Sequence, residues 1–174
     1  MKMQFTYNIF LIGFMGSGKS TVADYLCEKF GMDVVEMDQV IAERERMSIS
    51  DIFEKHGELY FRDLETKLLV ELQEKTNTVV SCGGGVAMRE CNVTEMKKNG
   101  KVVLLTAKPE TILERVENNH DRPLLENNKT VAYIAELMGK RREKYEAAAD
   151  MIIETDGKSA QRICEEMIQR LGEQ

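Results

Sequence analysis

Gly13-Phe14-Met15-Gly16-Ser17-Gly18-Lys19-Ser20 follows directly on the run Asn8-Ile9-Phe10-Leu11-Ile12, and this junction decides the fold. The octapeptide is a complete Walker A pattern, GxxxxGK[ST], which marks a nucleoside triphosphate site. Each residue type has a chemical reason. Glycines let backbone N–H groups close around phosphate oxygens, the Lys19 ammonium neutralises the β and γ oxygens, and the Ser20 hydroxyl is placed to ligate Mg²⁺. The apolar run reads as a buried strand, and Ser20 to Phe30 reads as a helix stopped by Gly31. The positive N-terminal end of that helix then faces the phosphates. A glycine turn matching by chance would need neither the strand before it nor the helix after it.

Four further apolar runs, Val34-Val35, Val79-Val80-Ser81, Val102-Val103-Leu104-Leu105 and Met151-Ile152-Ile153, are separated by helical stretches long enough for crossover connections. The pattern predicts an α/β fold of three layers, a five-stranded parallel sheet flanked by helices. Ser48 with Asp51 three residues on resembles a capping box. Phe61, Leu64, Leu68 and Leu72 line one helical face, and Pro109 sits at a helix start before Ile112, Leu113 and Val116. Ligands in such sheets collect beyond the carboxyl ends of the strands. Three segments are therefore expected to face the loop: Glu36-Met37-Asp38, Gly83-Gly84-Gly85, and the polar stretch Asn118 to Leu125.

Composition narrows the partners. The 174 residues, with 43% hydrophobic content, 12 glycines and 2 prolines, predict one globular domain over residues 1–174, without linker or repeat. A net charge of −6 argues against a polyanion surface and for a small-molecule substrate, with no nucleic acid. Cys27, Cys82, Cys91 and Cys164 show no paired spacing, and His56 and His120 lie far apart, so neither zinc nor a redox pair is indicated. The cysteines are expected as small apolar filler in a reducing cytosol, His56 as a helix surface residue, and the 11 methionines as core filler. The apolar start resembles a signal peptide only superficially, since Asn8 and Gly13 interrupt it and the phosphate loop consumes its end. With no run long enough to span a bilayer, a cytoplasmic protein without membrane contact is expected.

On the acceptor side, Glu36 and Asp38 are expected on one face of an extended segment, because alternate side chains share a face. One would meet Mg²⁺ or its waters and the other an acceptor hydroxyl; the alternative is that they cap the next helix. Arg62 has Glu65 three residues on, and an arginine held by a carboxylate is preorganised for a substrate anion. A solvated helix ion pair is the plainer alternative.

Taken together these residues resemble the shikimate kinase family, from Ile9 to about Arg170. The match comprises the GFMGSGKS loop with Thr21 behind it, Asp38 two residues after an acid, Phe61-Arg62 with Glu65, the triple glycine, Arg122-Pro123-Leu124-Leu125, and Arg141 four residues before Tyr145. The loop alone is common to many NTPases, whereas the ordered set is far more specific.

The resemblance implies transfer of the ATP γ-phosphoryl group to the 3-hydroxyl of shikimate, on the route to chorismate and the aromatic amino acids, by a chain expected to be a monomer with Mg²⁺ as cofactor. It implies a phosphate loop at residues 13–20, a substrate-binding region at about residues 33–62 and a short mobile lid at about residues 118–129. Gly16, Ser17, Gly18, Lys19, Ser20 and Thr21 would hold ATP, with Arg115 and Lys158 near the adenine and Arg122 in the lid over the phosphates. Asp38 would hold ring hydroxyls, Arg62 and Arg141 the carboxylate, and the Gly83, Gly84 and Gly85 backbone the ring, a side chain there taking the substrate's place. Ser20 would ligate the metal directly and Glu36 through water. Lys19, Asp38 and Arg122 would be catalytic.

Two departures from the family pattern stand out. Glu36 replaces the usual aspartate, and Arg142-Glu143-Lys144 precedes Tyr145 where a proline and a leucine are common, leaving Arg141 and Arg142 in competition for the carboxylate. A gluconate or nucleoside monophosphate kinase would share the loop and size, but the arginine pair and triple glycine speak against both. No Asn-Lys-x-Asp motif supports a GTPase, and a non-catalytic ATP-binding module would have no need of Lys19, Ser20, Asp38 and Arg122 together.

Overall fold

A computed structural model describes residues 4–117 and 130–172; the expected lid at residues 118–129, with Arg122 and His120, lies outside the described residues. Five strands form one parallel sheet in the order β2-β3-β1-β4-β5: β1 (Asn8–Ile12), β2 (Asp33–Glu36), β3 (Thr78–Ser81), β4 (Gly100–Thr106) and β5 (Met151–Glu154). β1 lies between β3 and β4, with Ile9 opposite Val79 and Phe10 opposite Val102. The chain leaves β1 at the point where strand order reverses, which is where an open α/β sheet presents its crevice.

The central strands match the apolar runs because a sheet covered on both faces needs continuous rather than alternating hydrophobicity, whereas the edge strands β2 and β5 are only partly covered, with Ile152 exposed. All five residues of β1 are buried. One face (Phe10, Ile12, Val80, Val102, Leu104) packs beneath α4 (Glu58–Glu71), α6 (Pro109–Val116) and α7 (Val131–Ala148) through Leu68, Leu69, Ile112 and Tyr145. The other face (Ile9, Leu11, Val79, Val103, Leu105) packs against α1 (Lys19–Phe30) and α8 (Ala160–Gly172) through Val22, Leu26, Ile163 and Met167. Each such side chain contributes about 1.5–3 kcal/mol on burial. Asn8, polar in this apolar strand, is tied down on every side: its amide donates to Lys75 O (3.0 Å) and Leu72 O (3.4 Å), and its carbonyl accepts from Thr78 N (3.2 Å). It fixes where β3 begins beside β1.

Local signals set the helix ends. α1 stops at Gly31, whose left-handed φ of 74° favours glycine. Asp51 N donates to Ser48 Oγ at 3.1 Å, the cap read for α3 (Ile49–His56), and Pro109 opens α6. Completing the set are α2 (Met37–Glu45) and α5 (Glu90–Lys98). No helix among the described residues is long and apolar enough to cross a membrane.

Two expectations need correction. Cys82 and Cys164 are buried filler, but Cys27 and Cys91 are exposed, since they fall on the outer faces of α1 and α5. The segment carrying Glu36 and Asp38 is not extended throughout: β2 ends at Glu36 and Asp38 lies in the first turn of α2. A strand-to-helix corner, not strand alternation, puts both side chains on the same cavity. Methionine does fill the core, with Met32, Met37, Met96, Met151 and Met167 all buried, and His56 lies on the surface, its ring stacked 4.3 Å from that of Tyr60.

Candidate active site

A cavity of about 570 Å³ runs from the phosphate loop to the turn after β3. The end at the phosphate loop is built by backbone. Gly16 and Gly18 hold φ values of 82° and 103°, a region that a Cβ makes costly, and this curls the loop onto the N-terminus of α1. Lys19 reaches across the loop, its Nζ donating to Gly13 O at 2.6 Å and Phe14 O at 3.1 Å. Gly16, Gly18, Lys19, Ser20 and Thr21 all line the cavity. Ser17 does not: its N–H donates to Phe14 O at 3.0 Å and its side chain is buried on the far side of the loop.

Ser20 Oγ donates to Glu36 Oε2 at 3.0 Å, so the hydroxyl and the carboxylate form one oxygen cluster at the cavity edge. Burial raises the Glu36 pKa, hydroxyls of Ser20 and Ser81 hold it down in part, and Asp24 and Asp38 push it further up. A carboxylate so placed gains from a nearby cation. On the other flank Arg115 donates to Gly16 O (2.9 Å) and Thr155 Oγ1 (3.3 Å) and borders the cavity. Lys158 is not among the cavity-lining residues; its ammonium is held at 2.9 Å by Glu166 of α8. Arg122 lies outside the described residues.

The end at the turn after β3 is built by side chains. Gly83-Gly84-Gly85 follows β3, and a Cβ on each would meet a charged group of the protein itself. At Gly83 it would lie 2.7 Å from Glu65 Oε2 and 2.9 Å from Asp38 Oδ1, at Gly84 3.1 Å from Arg141 Nη1, and at Gly85 2.5 Å from the Arg62 guanidinium. The glycines thus make room for these four side chains, a tighter requirement than room for substrate alone. Arg62 is locked: Nη1 pairs with Glu65 Oε1 at 2.8 Å, Nη2 with Glu58 Oε2 at 3.1 Å, and the guanidinium lies over the rings of Phe61 (5.3 Å) and Phe53 (5.8 Å). This is more than a solvated helix ion pair, because Glu65 is fully buried. Burial pushes Glu65 up to about 7 even though Arg62 pulls it down; Asp38 adds to the rise.

Arg141 is buried, with its guanidinium 5.7 Å from the Phe14 ring, while Arg142 is exposed one position on. Arg141 is therefore the arginine that faces the glycine turn. The Tyr145 hydroxyl donates to Gly84 O and lies 3.5 Å from Arg141 Nη1, joining α7 to that turn. Thr66 and the buried Asn92 do the same for α4: Thr66 Oγ1 donates to Asn92 Oδ1 at 2.7 Å, and Asn92 Nδ2 donates to Val86 O at 2.9 Å. Glu65 was legible only as a holder of Arg62, and Tyr145 only as a spacing mark. Asn92 carries no signal in the sequence, because its partners are 26 and 6 residues away and neither contact is periodic.

Comparison with known proteins gives one consistent result. A family model described as "Shikimate kinase" matches residues 15–172. The shikimate kinase of Persephonella marina is 45% identical over 164 residues, covering 94% of this chain and 98% of that one, and that of a Sulfurihydrogenibium species is 43% identical over 164 residues, covering 94% and 97%. Among solved structures, shikimate kinase from Acinetobacter baumannii in complex with shikimate superposes with a TM-score of 0.90 at 33% identity, covering 95% of this chain and 92% of that one.

Proposed function

This chain belongs to the shikimate kinase family, and we propose that its two half-sites divide the reaction between them. It is an ATP-dependent kinase that transfers the γ-phosphoryl group to the 3-hydroxyl of shikimate, releasing ADP and shikimate 3-phosphate. The new bond joins the 3-hydroxyl oxygen to the γ-phosphorus, the bond from that phosphorus to the β–γ bridging oxygen breaks, and the hydroxyl proton leaves. Such a transfer needs little covalent chemistry from the protein and much positioning.

In the nucleotide half, the N–H groups around Gly16 and Gly18 hold the phosphates, and Lys19 exchanges its two loop carbonyls for phosphate oxygens when ATP arrives. Arg115 borders the base, with Lys158 reaching it only by leaving Glu166. Ser20 and Glu36 fit Mg²⁺: they offer hard oxygen donors 3.0 Å apart at the edge of an open cavity, the sparse protein ligation Mg²⁺ takes when phosphates and water fill its other positions. Bound there with ATP, Mg²⁺ would supply charge neutralisation at the phosphates. Arg122, by resemblance, brings a further cation to the same oxygens.

In the acceptor half, Arg62 and Arg141 hold the shikimate carboxylate, the Gly83–Gly85 turn lets the ring approach, and Asp38 receives the ring hydroxyls and takes the proton from the attacking one. Glu65 positions Arg62. The observation that carries this reading is the convergence of two guanidiniums and the Asp38 carboxylate on one glycine turn beside the phosphate loop. A coupled assay of ADP release from ATP and Mg²⁺, with shikimate, quinate, gluconate and AMP offered separately, tests it. Shikimate should give by far the highest kcat/KM; a preference for gluconate or AMP would overturn it.

A further inference from the structure

A second cavity, of about 130 Å³, lies behind the phosphate loop between the end of β4 and α7. It is separate from the reaction cleft, and the reaction uses none of its volume. Phe14, Leu104, Ala107 and Met138 give it apolar walls. Ser17, 1% exposed, lines it, and the Ser17 hydroxyl has no hydrogen-bond partner among the described residues. Arg142 and Glu146, one turn apart on α7 and both exposed, border it as well, and neither has an ion-pair or hydrogen-bond partner among the described residues. A helical pair at this spacing stabilises only weakly, and these two side chains do not form it but stand at the rim of the apolar cavity.

We infer that this cavity binds a free α-amino acid with a single-ring side chain. A zwitterion is the ligand that answers both rim charges at once, its carboxylate meeting Arg142 and its ammonium Glu146. The volume selects the side chain, since dry apolar cavities on the order of 150 Å³ accept one six-membered ring. A polar atom on the far end of that ring answers the buried Ser17 hydroxyl, which otherwise stays desolvated without a bond. An aliphatic acid or a simple amine meets only one of the two charges. The occupant would touch Phe14 and Ser17 of the phosphate loop and Tyr145, whose hydroxyl holds Gly84, so the site abuts both half-sites.

Isothermal titration calorimetry on the full chain, without nucleotide or shikimate, tests the site independently of the kinase reading. L-phenylalanine should bind one to one, L-tyrosine more tightly, and glycine, phenethylamine and 3-phenylpropanoate about ten-fold or more weakly. Arg142→Gln should weaken 3-phenylpropanoate and L-phenylalanine, and Glu146→Gln should weaken phenethylamine and L-phenylalanine, each by about ten-fold, with thermal melts and shikimate turnover unchanged. Binding should persist with ADP saturating the cleft. Absence of saturable heat with both aromatic amino acids, affinities unmoved by both substitutions, or displacement by ADP would overturn the assignment. Should Met138→Phe, which fills the hole from α7, melt like wild type yet bind L-phenylalanine as well as wild type does, the assignment falls equally.

Discussion

The two ends of the reaction cleft are made in different ways. On the proposed division, the phosphate-binding part of the nucleotide end is eight consecutive residues whose working parts are backbone N–H groups, one lysine and one hydroxyl, shaped by glycines at positive φ. The acceptor end is gathered from the β2–α2 corner, α4, the turn after β3 and α7, and its working parts are charged side chains held by other side chains. A backbone site is specified by local sequence; a side-chain site is specified only by the fold that assembles it. The nucleotide end should therefore fail by loss of single groups, and the acceptor end by disturbance of neighbours that never touch substrate.

The largest effect is expected at the nucleotide end. Lys19→Met removes the loop's only cation and should lower kcat by roughly 10²–10³, the scale of one preorganised electrostatic donor. Turnover within a few-fold of wild type would show that Lys19 stays on its own loop carbonyls. Asp38→Asn comes next. An amide keeps the shape but loses one acceptor and all basicity, and kcat should fall roughly a hundred-fold with ATP affinity intact. Should the loss appear in shikimate KM alone, Asp38 holds the ring without accepting its proton.

Gly85→Ala addresses the neighbour rule. The added Cβ would sit 2.5 Å from the Arg62 guanidinium, which Glu65, Glu58 and two rings hold in place, so shikimate KM should rise about ten-fold while ATP KM stays put. An unchanged shikimate KM would mean that the position of Arg62 is immaterial.

The smallest effect is on stability and comes from Glu65, whose pKa burial raises from 4.5 to about 7. Between those two values the folded chain keeps a proton that the unfolded chain has released. Stability from this group is fully present below the unfolded value and is lost as pH rises through the folded one. Glu65→Gln should flatten that part of the profile, read by thermal melts from about pH 5 to about pH 8; a profile unchanged in shape would place the titration elsewhere.

Much of the fold was legible in sequence for the same reason as the loop: strands buried on both faces, the Ser48 cap, the Gly31 stop and Pro109 are local signals. The acceptor end was legible as residue types in an order, and only resemblance to a family joined them. What that order hides is geometry. It put Asp38 on a strand instead of a helix turn, and it gave no sign that the Ser17 side chain lies on the far side of the loop from the cleft. It read the triple glycine as space for substrate and did not show that the turn also makes room for Arg62, Glu65, Asp38 and Arg141. Which of Arg141 and Arg142 faces the glycine turn is likewise a matter of helix phase, which the packing of α7 on the sheet sets.

Steady-state kinetics of Arg62→Ala and Arg141→Ala, with both substrates varied, test the division of the cleft most directly. Each substitution removes one charge-assisted contact, worth roughly 1.5–3 kcal/mol, and should raise shikimate KM about ten- to hundred-fold while ATP KM stays near wild type and Arg142→Ala changes neither. Wild-type shikimate KM in both variants, or a rise in ATP KM as large as that for shikimate, would contradict it.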